Sequence, residues 1–385
     1  MKVFDIYPAH FSYIMGMFYT ICLMIIPYSI GIVIVKIVMQ ALICGYCVER
    51  CKSVWGYFVF FLRPVEADFT LSIHRMPVYG IIYFFFFIKV YYDNKDNKYS
   101  NWQDITLVSF VGSILMIWRK EGIYFLVSLP LLILLSYKHK KGEWKKSLLL
   151  CYSIVLITYI PELYSYMGNG SFTAESMHSY NSFFVNMKRL GLDDDKYQEY
   201  YEKIDKVLSI EAVDRINEDY GDLNYESELI ASRSEYEGIR PNYSADDYYQ
   251  YEKSIQYIIF HEPLLFLRSR FGMWNAVSFG YGHIRRGDSI LRILYHLVLF
   301  NLYIPLVAVI ALLILSVYKR EKGIIVLACG VIVHVAITFL LAPTAFLKYY
   351  YHLYLIGWFL IFIGMHKFVL MKLNKFNVIV DNNMN

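Results

Sequence analysis

The amino-acid sequence predicts an all-α, multi-pass membrane protein with one soluble domain. Hydrophobic residues make up 57% of its 385 residues, and the mean hydropathy is +0.39. Charged residues make up 18%, against about a quarter in soluble proteins. Whole stretches carry no charge, while one stretch carries most of the acidic residues. Apolar helices joined to a single soluble domain account for all of these observations.

Charge is distributed unevenly along the chain. Residues 161–260 include 20 acidic and 9 basic residues, a net charge of −11, and the remainder has a net charge of +15. We therefore assign 161–289 to an extracytoplasmic domain, and 1–160 and 290–385 to membrane regions. Bases interspersed with apolar runs indicate loops facing anionic lipid, which makes membrane lipids the expected partner and argues against nucleic acid.

Nine apolar runs approach the roughly 20 residues that a helix needs to cross a hydrocarbon core. They are 30–48, 54–62, 76–92, 105–118, 122–137, 147–159, 291–318, 323–341 and 349–370. The second run is short, so the predicted number of transmembrane helices is eight or nine. An earlier stretch, 11–26, is expected to form an amphipathic or partly embedded juxtamembrane helix that does not span, although the alternation of sides also permits it to span.

Basic clusters follow three of these runs, and the positive-inside bias places them in the cytoplasm. They are Lys138, Lys140, Lys141, Lys145 and Lys146; Lys319, Arg320 and Lys322; and Lys367, Lys372 and Lys375. Alternation then places 63–75, 119–121, 161–289 and 342–348 outside, and 49–52, 93–104 and the C-terminus inside. The expected location is the cell membrane.

Within the extracytoplasmic domain, helix-like stretches such as 195–208 predict a mostly helical structure. The stretch 254–274 mixes apolar and basic residues, which predicts an interfacial helix leading back to the membrane.

Charged groups beside a membrane are costly unless they are paired, hydrated or used. The turn between two apolar runs contains Arg119, Lys120 and Glu121. It is a solvated hairpin, a turn neutralised by an Arg119–Glu121 contact, or a site where the Arg119 guanidinium binds a lipid-linked phosphate with help from Lys120 or Lys348. Arg75 is a further candidate for binding phosphate.

An external carboxylate near such a site could be the general base that deprotonates an acceptor hydroxyl. Asp5, Glu66 and Asp68 are the candidates. His74, His283 and His352 are too scattered to predict a metal site, and we interpret Cys44, Cys47 and Cys51 as apolar filler. No metal or other cofactor is assigned, and a divalent cation is left open.

Four segments carry a resemblance to a known family. They are Asp5-Ile-Tyr-Pro-Ala-His10 before the juxtamembrane helix, Ser72-Ile-His-Arg-Met-Pro-Val-Tyr79, Trp118-Arg-Lys-Glu-Gly-Ile-Tyr124, and Lys348-Tyr-Tyr-Tyr-His-Leu-Tyr354. Together they resemble the membrane-embedded GT-C glycosyltransferases, which include protein mannosyltransferases and aminoarabinose transferases. Tyr349 and Tyr350 correspond to the tyrosine-rich start of a late helix in that family.

The resemblance implies transfer of a sugar from a polyprenyl-phosphate donor to a cell-envelope glycan or lipid acceptor on the outer face. Family members begin with a transmembrane helix followed by the catalytic acid, and this sequence starts after that point. We therefore expect an N-terminal truncation or a divergent or inactive member. A polymerase or ligase acting on lipid-linked glycans, a transporter, and a non-catalytic membrane protein are the alternatives.

Overall fold

The computed structural model describes residues 12–62, 75–169, 173–220, 236–279 and 290–384. These residues form helices and no strand, and the isolated backbone pairings are Tyr99 with Lys138 and Leu208 with Ile239. The helices, in chain order, are α1 (Tyr13–Ile25), α2 (Ile30–Cys51), α3 (Arg75–Lys95), α4 (Trp102–Trp118), α5 (Phe125–Ser136), α6 (Glu143–Asn169), α7 (Thr173–Arg189), α8 (Gln198–Asp205), α9 (Ile210–Tyr220), α10 (Ala245–His261), α11 (Pro263–Phe279), α12 (Ile290–Leu299), α13 (Tyr303–Tyr318), α14 (Lys322–Leu341) and α15 (Tyr351–Met384).

The chain divides into two compact units. The acidic unit comprises the described residues of Asn169–Asn301 together with Ile337–Leu347. The apolar unit comprises the described residues of Phe11–Gly168, Leu302–Ala336 and Lys348–Asn385.

Side-chain caps fix the starts of several helices. The Ser12 hydroxyl accepts a hydrogen bond from the backbone N–H of Met15 at 3.3 Å, at the start of α1. The Asn101 side chain accepts one from the N–H of Asp104 at 2.8 Å, at the start of α4. These bonds satisfy backbone donors that have no partner within the helix.

Helix α3 is the central helix of the apolar unit. It packs against α2, α4, α5 and α15, and no residue between Met76 and Lys95 is exposed. Because protein surrounds α3, its tyrosines and charged residues meet side chains of neighbouring helices. This burial positions the candidate site described below.

Five described helices are long and apolar enough to cross a membrane. They are Ile30–Cys51, Glu143–Leu163, Leu297–Tyr318, Lys322–Leu341 and Leu347–Lys372. The apolar helices Trp102–Trp118 and Glu121–Ser136 are shorter, and tyrosines and charged residues lower the hydropathy of α3. The predicted juxtamembrane stretch forms the short apolar helix α1.

The short apolar run at 54–62 is separate from α2. It forms a 3₁₀-helix, Val54–Phe61, in which the Ser53 hydroxyl accepts a hydrogen bond from the N–H of Trp55 at 3.1 Å. Lys52, with a positive φ of 51°, ends α2 in the left-handed conformation that commonly stops a helix.

In the acidic unit, a mostly helical fold is what the described residues show. The stretch 195–208 is not one helix, because a 3₁₀ turn, Asp195–Tyr197, precedes α8. The core is built from apolar residues at helical spacing, such as Tyr251, Ile255 and Ile258 of α10. They pack in one cluster with Ile204 of α8.

Prolines break two runs that the sequence pattern predicted to be continuous. The stretch 254–274 is divided between α10 and α11, because the residue before a proline avoids helical backbone angles and Glu262 has φ −124° and ψ 55°. The run 291–318 is divided between α12 and α13. Pro305 can occupy only the first turn of α13, because deeper in a helix its ring would clash with the preceding turn.

Candidate functional site

The turn between α4 and α5 holds the central residue of the candidate site. Arg119 has extended backbone angles (φ −139°, ψ 142°) and is followed by a 3₁₀-helix, Lys120–Tyr124. The N–H of Gly122 donates to the carbonyl of Arg119 at 2.9 Å. A Cβ atom at Gly122 would overlap the carbonyl oxygen of Leu115, so the turn requires glycine there.

Arg119 and Glu121 form a buried, bidentate ion pair. The Nε of Arg119 donates to Oε2 of Glu121 at 3.1 Å, and its Nη2 donates to Oε1. Their side chains are 5% and 13% exposed. A solvated hairpin is therefore wrong for this turn, and the contact that neutralises it is present.

The protonation state of Arg119 follows from this pairing. Burial lowers the pKa of the Arg119 guanidinium, but the Glu121 carboxylate outweighs that effect, so the pKa is raised above its usual value. The guanidinium is therefore a permanent cation at the end of α4.

The Arg119 guanidinium lies beside two tyrosine rings, and one of these rings also contacts Lys348. The Arg119 Cζ lies 5.7 Å from the ring centre of Tyr79 and 5.3 Å from that of Tyr349. The Lys348 Nζ lies 5.7 Å from the same Tyr349 ring. The predicted site residues Arg119, Glu121, Lys348 and Tyr349 are thus brought together, and cation–π contacts of this kind favour retention of both cations.

Two histidines extend the cluster into the helices. The His334 and His352 rings lie 4.3 Å apart, centre to centre, and are at most 1% exposed. Tyr79 stacks on His334 at 5.4 Å, with its hydroxyl 3.5 Å from the His334 Nδ1. The hydroxyls of Tyr83 and Tyr124 lie 2.6 Å apart. We call the whole group the Arg119 cluster: Tyr79, Tyr83, Arg119, Glu121, Tyr124, His334, Lys348, Tyr349 and His352.

Most of this cluster was not predicted from the sequence. His334, Tyr79, Tyr83 and Tyr124 lie in apolar runs whose order in space cannot be derived from spacing. A signal was available in His334, because an ionisable residue inside an apolar helix is costly and by default suggests a function. His352 was interpreted as one of several scattered histidines, yet the structure pairs it with His334.

The Arg119 cluster contains buried polar atoms without a hydrogen-bond partner. Among the described residues, Arg119 Nη1 and His352 Nε2 are buried side-chain atoms without a hydrogen-bond partner. Leaving such an atom unpaired typically costs about 1–3 kcal/mol, and more for a charged group. Unmatched polar atoms at one place therefore mark a position where water or a polar ligand is needed.

The other predicted site residues are placed only in part. Tyr350 is buried, with 3% exposure, in the short 3₁₀-helix Leu347–Tyr350. Arg75 is the first residue of α3 and Lys120 the first of the turn helix, but their side chains lie outside the described part of the chain. The proposed carboxylates Asp5, Glu66 and Asp68 lie outside the described residues altogether.

A second charge cluster also lies in the apolar unit; its charges are balanced, although the buried Nε of Arg50 has no hydrogen-bond partner. The Asp93 carboxylate accepts hydrogen bonds from Arg50 at 2.8 Å, from the Tyr137 hydroxyl at 2.7 Å, and from Lys89. Lys89 also bonds Asp104 at 2.6 Å. We call Arg50, Lys89, Asp93, Asp96, Lys98, Asp104 and Tyr137 the Asp93 cluster, which contains three acids and three bases.

No metal centre is evident in the part of the chain that the structure describes, because no group of three or more His, Cys, Asp or Glu residues is placed to hold an ion there. Comparison with protein-family models, curated proteins and solved structures finds nothing that this chain matches. The chemistry of the Arg119 cluster is therefore the basis of the function proposed below.

Proposed function

We propose that the protein is an integral membrane glycosyltransferase that takes a sugar from a polyprenyl-phosphate donor and transfers it to a cell-envelope glycan or lipid acceptor on the outer face. The observation that carries the proposal is the buried Arg119, whose Nη1 has no hydrogen-bond partner, beside Lys348 on the same tyrosine ring. A permanent cation with a free donor and an adjacent ammonium suits a phosphate group.

The proposal includes eight or nine membrane crossings with a cytoplasmic C-terminus. Contacts within the apolar unit support this topology. Arg50, Asp93 and Asp104, all predicted to be inside, belong to one cluster. The predicted outer residues Arg119 and Tyr349 contact each other in another.

In this reaction, the acceptor oxygen forms a bond to the anomeric carbon of the sugar while the bond from that carbon to the phosphate oxygen breaks. The departing phosphate gains negative charge, and Arg119 and Lys348 stabilise that charge. Glu121 holds the guanidinium in place and occupies its other fork, so Nη1 is the atom offered to phosphate. The acceptor proton passes to a carboxylate, for which Asp5, Glu66 and Asp68 are the candidates.

The test is transfer of a labelled sugar from polyprenyl phosphate by the full-length protein in liposomes, with donor binding measured separately. Arg119→Lys keeps the charge but loses the planar fork, and Lys348→Ala removes the second cation. We expect each to weaken donor binding about 10-fold or more, as loss of a charge-assisted hydrogen bond would. Lys319→Ala, which removes an exposed cation elsewhere in the apolar unit, is the matched control.

If neither Arg119→Lys nor Lys348→Ala reduces donor binding or turnover, the Arg119 cluster is not the donor site. Binding of polyprenyl phosphate without turnover would favour the non-catalytic alternative, and preference for a lipid-pyrophosphate glycan would favour a polymerase or ligase. Loss of activity on chelation would reveal a divalent cation.

A further inference from the structure

Helix α11 exposes large apolar side chains on one face while it buries an arginine on the other. Leu264 and Phe271 are 81% and 55% exposed, whereas Arg270 is 0% exposed and lies on the buried face with Met273 and Trp274. In water a surface helix usually turns its charged side chains to the solvent, because apolar side chains gain free energy by leaving it. The outward face of α11 is therefore built for a non-aqueous neighbour.

Arg270, on the buried side of α11, is held by contacts within the acidic unit. Arg270 Nη1 donates to the carbonyl of Ala342 at 2.9 Å, and Nη2 donates to the Ser182 hydroxyl at 3.4 Å. Its guanidinium also lies 4.7 Å from the ring centre of Phe183. These contacts hold the orientation of α11, so the apolar face cannot turn inward without breaking them.

The same contacts place α11 at the end of a candidate membrane span. Helix α14, which is long and apolar enough to cross a membrane, ends at Leu341. Phe271 and Trp274 contact Phe339 in its last turn, with ring centres 5.0 and 6.3 Å away. The last turn of α14 belongs to the acidic unit, so α11 packs against the end of this candidate span within its own unit.

Charge excludes a purely electrostatic attachment of this unit to lipid. Residues 161–260 have a net charge of −11, and an anionic membrane surface repels them. Apolar insertion is the remaining means by which a helix in this position could gain free energy from the bilayer. Arg268 follows Leu267 on the exposed side of α11, where its long side chain can reach lipid headgroups.

We propose that Leu264, Leu267 and Phe271 of α11 insert into the outer membrane–water interface, with lipid acyl chains as their neighbours. The preceding Phe260, 79% exposed, extends the same apolar surface. The insertion goes beyond the proposed glycosyl transfer, and only the side of the membrane on which it occurs rests on the proposed topology.

The test places a diazirine amino acid, by amber suppression, at position 264 or 271 of the full-length protein in vesicles containing anionic lipid. The matched control is position 249, because Tyr249 is also exposed (53%) but lies on α10. After irradiation, mass spectrometry counts lipid adducts. We expect about 10-fold more at 264 and 271 than at 249, because an interfacial helix buries its apolar face about 5–10 Å into the headgroup boundary.

A salt series separates insertion from charge attraction. Adduct yields at 264 and 271 should not fall between about 0.1 M and about 1 M salt, where exposed charges are screened. Yields equal to those at 249, or yields lost at high salt, would overturn the proposal. Because these side chains are exposed, the substituted proteins should elute like the wild type, and position 267 provides a third labelling site.

Discussion

The apolar unit contains two charge clusters that differ in their balance of charge. In the Asp93 cluster, Asp93 accepts from Arg50, Lys89 and Tyr137, and acids and bases are equal in number. The Arg119 cluster contains two cations, Arg119 and Lys348, and one carboxylate, Glu121, which pairs with Nε and Nη2 of the guanidinium. A neutral cluster needs no further ion to balance its charge, whereas a cluster with an excess cation gains free energy by binding an anion. The difference in charge therefore favours a structural role for the first cluster and anion binding for the second.

Removing Asp93 should produce the largest effect. Asp93→Ala leaves Lys89 buried with one carboxylate fewer, and loss of one partner of a buried pair typically costs about 3–5 kcal/mol. Thermal unfolding of the purified protein in detergent measures the loss. Asp96→Ala is the control, because its side chain is 57% exposed and lies 3.2 Å from Arg50, and an exposed pair contributes about 0–1 kcal/mol. Equal effects of the two substitutions would break the structural assignment of the Asp93 cluster.

A methyl group at Gly122 should have an intermediate effect. Gly122→Ala forces a Cβ against the carbonyl of Leu115, and overpacking of this kind costs about 1–3 kcal/mol. The turn that holds Arg119 is displaced, so donor binding should weaken together with stability. Gly330→Ala is the control, because a Cβ there meets Tyr124 at an ordinary 3.5 Å. If Gly122→Ala is as stable and binds as well as Gly330→Ala, the tight turn does not position the cluster.

The Arg119 cluster shows which site residues could be predicted from the sequence and which contacts could not. An unusual concentration of charge in a turn identified Arg119 and Glu121, and a tyrosine-rich helix start identified Lys348 and Tyr349. The predicted alternation placed both segments on one side, but it did not predict which side chains contact each other. The pairing of His334 with His352 did not follow, since it depends on how α14 and α15 are rotated about their axes. Likewise, the apolar runs predicted most of the helices, but they did not predict the helix breaks that precede Pro263 and Pro305.

Substitution of His352 should not destabilise the protein, in contrast to substitution of Asp93. His352→Leu removes a buried nitrogen that has no hydrogen-bond partner and keeps an apolar side chain among the rings. Replacing an unmatched polar group should leave stability unchanged or raise it by up to about 1 kcal/mol, while donor affinity falls if the cluster binds the ligand. His352→Asn, which keeps polarity, is the companion variant. A loss of several kcal/mol with His352→Leu would mean that His352 stabilises the fold, and would contradict a ligand-binding role for it.

The smallest effect concerns exposed ion pairs, which provide a baseline for both buried clusters. In the acidic unit, Lys196 donates to Glu262 at 2.6 Å and the Tyr197 hydroxyl donates to it at 2.9 Å. Lys196 and then Tyr197 hold the pKa of the Glu262 carboxyl below its usual 4.5. Because the folded pKa is lower than the unfolded one, the ionised form stabilises the fold above about pH 4.5, and this contribution is lost as pH falls through the folded pKa. Glu262→Gln should therefore lose only a little thermal stability at neutral pH and converge with the wild type on acidification. Since solvent screens an exposed pair, a Glu262→Gln loss as large as that of Asp93→Ala would mean that burial does not set the energy of these ion pairs.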